Sequence, residues 1–155
     1  MRGLFVTGTD TGVGKTVLSA LLMAAAPLDV GYWKPVQTGT DEDDDTATVA
    51  TLAGLPAERV HAHGARYLLP ASPHHAAAAE GAEISLSGLL AQAPAEGRWV
   101  VEGAGGLLVP LSETLMLTDL IAALRLPIIV AASTRLGCIN HTLLTVRHAH
   151  EIGLD

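Results

Sequence analysis

The chain has 155 residues, of which 49% are hydrophobic and only 3% aromatic, and its formal net charge at pH 7 is −7. This length suits a single domain with a real core, and the acidic balance without a basic run argues against a nucleic-acid-binding surface. A single cysteine, Cys138, leaves no internal disulfide, and neither a signal peptide nor an apolar run of membrane-spanning length is evident, so we expect a cytoplasmic protein that makes no membrane contact.

The N-terminal segment predicts a strand at about 3–6, a glycine-rich loop, and a helix from about 14 to 26. Strand, glycine loop, Gly-Lys-Thr and helix form the layout of a phosphate-binding P-loop, because glycines let main-chain N–H groups surround phosphate oxygens at the positive end of a helix. We expect Lys15 to reach the β- and γ-phosphates and Thr16 to contact Mg²⁺. The usual spacing places the first glycine at position 9, but here it is Gly8, so the loop is one residue longer.

A second strand at 30–33 ends in Lys34. We expect this strand to lie next to the nucleotide-binding strand, so that Lys34 projects into the phosphate site. A second cation beside Lys15 would stabilise charge during phosphoryl transfer or hold an anionic acceptor.

An acidic run at 41–45 then leads into a helix at 46–53, where carboxylates suit a helix N-terminus. Charge runs are usually solvated. Among Asp43, Asp44 and Asp45, the last is best placed to turn towards a cation.

The next part of the chain is less informative, since 55–69 shows no clear pattern. Ser72 followed by Pro73 is typical of a helix start. A strand at 99–102 ends in Glu102, where P-loop proteins keep an acidic residue that holds Mg²⁺ directly or through water. The other predicted elements are a short Ala-rich helix that stops at Gly81, helices at 86–93, 117–124 and 139–152, and a buried strand at 127–132.

The alternation of strands and helices predicts an α/β fold, a P-loop NTPase-like three-layer α/β/α arrangement with a mainly parallel sheet. Ligands of such sheets bind beyond the carboxyl ends of the strands. Four strand ends converge there: the P-loop, Lys34, Glu102 and the loop after Ala132. The seven histidines lack the spacing of a zinc site, and Cys138 has no evident base partner.

Several motifs together resemble one family, the dethiobiotin synthetases. The resemblance spans nearly the whole chain, and the extra P-loop residue is a habit of that family. The carrying segments are Thr7-Gly-Thr-Asp-Thr-Gly-Val-Gly-Lys-Thr16, Lys34-Pro-Val-Gln-Thr-Gly39, Ser72-Pro-His74, Val101-Glu-Gly-Ala-Gly-Gly-Leu-Leu-Val-Pro110 and Leu136-Gly-Cys-Ile-Asn-His-Thr-Leu-Leu-Thr145.

The resemblance implies an ATP- and Mg²⁺-dependent ligase of biotin biosynthesis that converts 7,8-diaminononanoate and CO₂ into dethiobiotin, ADP and phosphate. It implies catalytic roles for Lys15, Lys34 and Thr11, and Mg²⁺ held by Thr16, Asp45 and Glu102. The residues implied to surround the ATP phosphates are Thr9, Asp10, Thr11, Gly12, Val13, Gly14, Lys15, Thr16, Glu102, Gly103 and Gly105. Many relatives carry an acidic residue at the position of Gly12, so that side-chain role is absent here.

The resemblance also implies a homodimer with shared active sites. The substrate carboxylate would be held by a helix N-terminus of the neighbouring subunit. The residues implied to contact the substrate are Thr38, Ser72, Leu136, Gly137, Cys138 and Asn140.

Members of the family usually continue beyond this length, so we expect residues 1–155 to be one P-loop domain without its C-terminal strands, and nucleotide base selectivity to depend on the missing part. Alternatives are an amidoligase similar to cobyrinic acid a,c-diamide synthase, a ParA/MinD-like switch ATPase and a non-catalytic fragment. The segments at 34–39 and 136–141 argue against the first. The second carries a signature lysine early in the loop, where this chain has Thr9, Asp10 and Thr11.

Overall fold

The computed structural model describes residues 1–41 and 43–154, so Glu42 of the predicted acidic run and Asp155 lie outside the described residues. Strands and helices alternate along most of the chain. The elements are β1 (Arg2–Gly8), α1 (Lys15–Ala25), β2 (Val30–Trp33), β3 (Val36–Gln37), α2 (Asp45–Ala53), a 3-10 turn (Ala57–Arg59), β4 (Val60–His61), β5 (Ala65–Arg66), α3 (Pro73–Ala79), α4 (Leu86–Ala91), β6 (Arg98–Glu102), α5 (Leu117–Leu124), β7 (Ile128–Ala131) and α6 (Cys138–Glu151).

Five strands form one parallel sheet in the order β4-β2-β6-β1-β7. The predicted α/β class with a mainly parallel sheet is therefore confirmed. The expected neighbour of β2 is wrong, because β6 lies between β2 and the P-loop strand β1. This order places Lys34 beside the end of β6, not beside β1.

The sheet is covered on both faces, which gives the three predicted layers. Two core clusters lie on the two faces, and consecutive residues of the central strands alternate between them, as strand geometry requires: Phe5 and Val6, Tyr32 and Trp33, Val100 and Val101. Helices α1 and α2 pack on the face of Val6, whereas α3 to α6 contribute to the larger cluster around Phe5.

The segment at 55–69, which has no clear sequence pattern, contains a 3-10 turn and two very short strands. β4 extends the main sheet at its edge, and β5 pairs with β3 in a separate two-stranded sheet. Ser72 stands at the predicted helix start, but its side chain makes no capping hydrogen bond. The capping side chain of α2 is Asp44, which accepts from the N–H groups of Thr46 and Ala47.

An aromatic cluster packs around the β4 edge of the sheet. The ring of His61 lies edge-on to Trp33 and Trp99, at centroid distances of 5.9 and 5.6 Å. The Trp99 ring packs directly on Gly31, where a Cβ would lie only 2.3 Å from the indole ring. Within the part of the chain that the structure describes, no helix is long and apolar enough to cross a membrane.

Candidate active site

The P-loop connects the end of β1 to α1 in the geometry of an anion-binding site. Gly12 and Gly14 have φ angles of 70° and 97°, in the left-handed region that favours glycine. Gly14 is the N-cap of α1 and makes no side-chain cap, and the first turn of the helix carries no acidic residue. The first N–H groups of α1 and the positive end of its dipole therefore form an arrangement that suits a phosphate group.

Lys15 folds back over this loop. Its ammonium donates to the carbonyl of Asp10 at 2.9 Å, and the residue is only 7% exposed. Burial, and then the nearby charge of Lys34, lower the pKa of Lys15. The charge of Lys34 is therefore felt at Lys15; that the two act together on a transferred phosphate stays a prediction.

Thr16, Lys34, Asp45 and Glu102 form a compact cluster at the start of α1. The ammonium of Lys34 lies 2.6 Å from Asp45 Oδ2 and 2.9 Å from Glu102 Oε1. The hydroxyl of Thr16 lies 2.6 Å from Asp45 Oδ1 and 3.2 Å from Glu102 Oε1. Four residues that are distant in the sequence thus meet around two carboxylates.

Strand register explains how Lys34 and Glu102 come together. Trp33 of β2 pairs with Val101 of β6, so the next residue of each strand lies at the same edge of the sheet. Glu102 is fully buried and Lys34 is 4% exposed. Removing both charges of such an ion pair from water costs free energy, and hydrogen bonds to the buried charges offset this cost.

Among the described residues of the acidic run, Asp45 is the one whose carboxylate contacts this cluster. Burial works against its charged form, yet the ammonium of Lys34, together with hydrogen bonds from Lys34 and Thr16, holds the pKa of the Asp45 carboxyl below its usual range. Asp44 instead caps α2 and forms an ion pair with Arg66 at 2.7 Å. The two neighbouring carboxylates therefore have different tasks.

Tyr32 is a member of the site that sequence reasoning missed. Its hydroxyl donates to Glu102 Oε2 at 3.1 Å, and the tyrosine is fully buried. Burial, and then the negative charge of Glu102, raise the pKa of Tyr32 well above its ordinary value, so the phenol stays protonated. Tyr32 lies two positions before Lys34, and both contact Glu102 at the end of the neighbouring strand β6, so the contact follows from the strand order.

The oxygen atoms of this cluster fit a hard divalent cation. Thr16, Asp45 and Glu102 offer a hydroxyl and two carboxylates, the donor set that suits Mg²⁺ in a nucleotide site. Among residues 1–41 and 43–154 there is no group of three His, Cys, Asp or Glu side chains that could hold a metal. A metal at this place would thus depend on two carboxylates, one hydroxyl and oxygens from the nucleotide or water.

Gln37 joins the two ends of the loop between β3 and α2. Its side-chain amide donates to the carbonyl of Thr38 at 3.0 Å and that of Asp43 at 3.5 Å. Gly39, the next residue but one, has a φ angle of 70° and packs against Pro70. The loop that carries Thr38 and leads to Asp45 is therefore braced at both ends.

Three other predicted residues lie in or near the P-loop. Thr11 lies on the exposed part of the P-loop, and Gly105, with φ 61°, lies close by, since a Cβ there would be 3.7 Å from the Thr11 hydroxyl. Gly103 faces the core, where an added Cβ would lie 2.8 Å from Phe5. Close packing against Phe5 thus explains why this position is a glycine.

Most of the predicted substrate residues outside the P-loop are exposed, whereas Thr38 is half-buried. Leu136 is fully exposed, and Gly137, with φ 96°, is the N-cap of α6. Asn140 and Ser72 are exposed, and Cys138 is half-buried. No hydrogen bond or ion pair among the described residues joins this helix start to the carboxylate cluster.

A cavity of about 710 Å³ lies elsewhere, between α3 and the segment at 111–113. His74, Ile84, Leu111 and Ser112 contribute to its wall. Its lining has neither a lysine nor the start of a long helix, both of which favour phosphate binding. The P-loop, which offers both, is the better candidate for the phosphate site.

Comparison with known proteins adds independent information. A sequence model of the family described as "AAA domain" matches residues 2–155. The chain is 54% identical over 144 residues to a protein of Nitrobacter hamburgensis named "ATP-dependent dethiobiotin synthetase BioD", an alignment that covers 92% of this chain and 66% of that protein. A protein of Rhizorhabdus wittichii with the same name is 51% identical over 145 residues, with 94% and 68% coverage.

The "Biotin biosynthesis bifunctional protein BioCD" of Bordetella avium is 52% identical over 146 residues, which represent 94% of this chain and 31% of that protein. The chain thus spans about two thirds of the length of the single-function relatives it matches.

Proposed function

We propose that this chain, which belongs to the dethiobiotin synthetase family, takes part in biotin biosynthesis as an ATP-dependent ligase that converts 7,8-diaminononanoate and CO₂ into dethiobiotin. One amine of the substrate adds to CO₂ and loses a proton, which gives a carbamate. A carbamate oxygen attacks the γ-phosphorus of ATP and ADP leaves. The second amine then attacks the carbonyl of the mixed anhydride, loses a proton and expels phosphate as the ring closes.

The observation that carries this proposal is the meeting of Lys34 with Thr16, Asp45 and Glu102 beside the P-loop. A P-loop alone holds phosphate. The second buried lysine provides a cation for an anionic acceptor, so that the acceptor and not water receives the γ-phosphoryl group. Such positioning and charge neutralisation supply most of the rate in phosphoryl transfer.

Each residue of the site has a role in this proposal. The N–H groups at 9–16 hold the phosphates, and Lys15 neutralises their charge. Lys34 holds the carbamate and the transferring group, while Thr11 and Thr38 contact the reacting atoms. Thr16, Asp45 and Glu102 would hold Mg²⁺, which would supply positive charge to the phosphates of ATP.

The proposal includes a homodimer in which α6 of one subunit contributes to the site of the other. Ile139 and Leu143 lie one helical turn apart on α6 and are 74% and 52% exposed. Large apolar side chains on one face indicate an interface. The N-terminus of α6, at Leu136 to Asn140, would then hold the substrate carboxylate, and sedimentation velocity checks the dimer.

We further propose that residues 1–155 belong to a P-loop domain whose sheet is extended by further strands beside β7. β7 is an edge strand in the described sheet, and its residues Ile128 to Val130 are only half-buried. Recognition of the adenine ring belongs to that additional part. A cytoplasmic location, where ATP is supplied, completes the proposal.

A turnover assay tests the function. MgATP, bicarbonate and diaminononanoate are supplied, dethiobiotin is measured, and Lys34→Ala is compared with wild type. We expect Lys34→Ala to lose turnover by about 10²–10³-fold, the usual effect of removing one group that stabilises transition-state charge, while ATP still binds. Arg98→Ala is the control, since Arg98 pairs with Asp29 on the surface.

The proposal is wrong if the full-length protein makes no dethiobiotin, or if wild type hydrolyses ATP equally fast without the diamine. It is also wrong if Lys34→Ala retains wild-type turnover.

A further inference from the structure

Lys34 occupies the same carboxylate oxygens that would hold a divalent cation. Its ammonium contacts Asp45 Oδ2 at 2.6 Å and Glu102 Oε1 at 2.9 Å. The hydroxyl of Thr16 approaches the other oxygen of Asp45 and the same oxygen of Glu102. Lys34 is therefore an internal cation at the place where the candidate metal ligands converge.

Every carboxylate oxygen of the pair already has a donor next to it. Glu102 Oε2 accepts from Tyr32, and Oε1 is shared between Lys34 and Thr16. A dication on these oxygens would lie within a few ångströms of the Lys34 ammonium. Charges of the same sign repel strongly at such distances in a buried site, so the two cations cannot share the pair.

Only the side chain of Lys34 needs to move for the exchange. The backbone beside it is fixed, because proline at 35 restricts the chain and its carbonyl accepts from the N–H of Ala65 at 2.8 Å. The flexible four-carbon stem of a lysine can deliver its charge to more than one place.

We propose that Lys34 and Mg²⁺ exchange on the Asp45–Glu102 pair, so that the metal that arrives with the nucleotide releases the ammonium towards the acceptor. This inference rests on the proposed function. It makes binding ordered: the metal–nucleotide complex enters first, and the cation that activates the acceptor becomes available only then.

The test measures metal binding without nucleotide or turnover. Mn²⁺ is titrated into the wild type and Lys34→Met, and free Mn²⁺ is followed by electron paramagnetic resonance. Methionine keeps much of the length of lysine and removes its charge. We expect Lys34→Met to bind Mn²⁺ about tenfold tighter than wild type or better, because a competing charge next to two carboxylates is gone.

Arg66→Met is the matched control. Arg66 pairs with Asp44, the neighbour of Asp45, so this variant removes a nearby positive charge that does not contact the carboxylate pair. We expect its Mn²⁺ affinity to stay within about twofold of wild type. Lys34→Gln replaces Lys34→Met under the same criterion if thermal melting shows that the methionine variant is unfolded.

The exchange is overturned if the uncharged variant gains less than about fivefold in Mn²⁺ affinity, or if Arg66→Met gains as much. Failure of the proposed function is a separate result. A protein that makes no dethiobiotin but binds Mn²⁺ more tightly without Lys34 refutes the reaction and supports the exchange. If the protein makes dethiobiotin, and wild type and Lys34→Met bind Mn²⁺ equally tightly, the reaction is supported and the exchange is refuted.

Discussion

Tyr32→Phe is the most direct test of how the buried carboxylate is stabilised. The variant removes one oxygen atom and keeps the ring that packs with Val6, Met23 and Val100. What is lost is the hydrogen bond of 3.1 Å to Glu102 Oε2. Since Glu102 is fully buried, water cannot readily replace this donor.

The expected cost follows from this geometry. A hydrogen bond to a charged group contributes about 1.5–3 kcal/mol, and the loss is felt fully when the remaining partner stays buried. The melting temperature of a domain of this size changes by about 2–4 °C for each kcal/mol. We therefore expect Tm to fall by about 3–12 °C and the free energy of unfolding to fall by about 1.5–3 kcal/mol.

The assay is urea unfolding followed by circular dichroism at pH 7, with a thermal melt as a second measurement. Tyr67→Phe is the matched control, since Tyr67 is 9% exposed and lies in the other core cluster, away from Glu102. We expect the control to lose less than about 0.5 kcal/mol, a value typical of substitutions away from special features. Equal losses in the two variants, or a loss below about 0.5 kcal/mol in Tyr32→Phe, would refute the reasoning.

Three further predictions concern the same site and its supports. Because the pKa of Asp45 is lowered in the folded protein, its ion pair with Lys34 stabilises the fold above the ordinary aspartate pKa, and this stability is lost as pH falls through the lowered value. In urea melts from pH 7 to pH 3, Asp45→Asn should therefore show a weaker pH dependence than wild type. Gly14→Ala should cost about 1–2 kcal/mol in urea unfolding, because φ is 97° and nothing lies within 4 Å of a new Cβ, so that the cost is conformational alone. Gly103→Ala should cost about 1–3 kcal/mol in the same assay, since the new Cβ would lie 2.8 Å from Phe5.

Controls separate these causes. Gly14→Asn should lose less than Gly14→Ala, since asparagine tolerates the left-handed region better, and equal losses would contradict the conformational argument. Gly103→Ser should lose at least as much as Gly103→Ala if space is the cause. For the acid transition, identical pH profiles of Asp45→Asn and wild type would show that the ion pair with Lys34 contributes nothing.

The elements that could be predicted from the sequence are those with a strong local pattern. The bounds of β2 and α5 agree with prediction, because alternation and helical periodicity are properties of the segment itself. The two-residue strands β3, β4 and β5 were missed, since two residues carry no period. These short pairs form only because the surrounding chain brings them together.

The site shows the same division. The P-loop and Glu102 were recognisable from local pattern, and Asp45, the residue favoured from its run, contacts Thr16 and Lys34 in the structure. The order of the strands was not readable, so Lys34 was expected beside β1 when it lies beside Glu102. Tyr32 was missed because a tyrosine within an apolar strand is usually a core residue. Its hydrogen bond becomes visible only when β6 is placed next to β2.

The aromatic cluster at the β4 edge gives the protein an optical reporter of its own. Both tryptophans of the chain, Trp33 and Trp99, lie against the ring of His61, so their emission comes from one place. Trp33 is also the residue immediately before Lys34. Movement of that lysine can therefore be followed in the unlabelled protein by stopped-flow fluorescence.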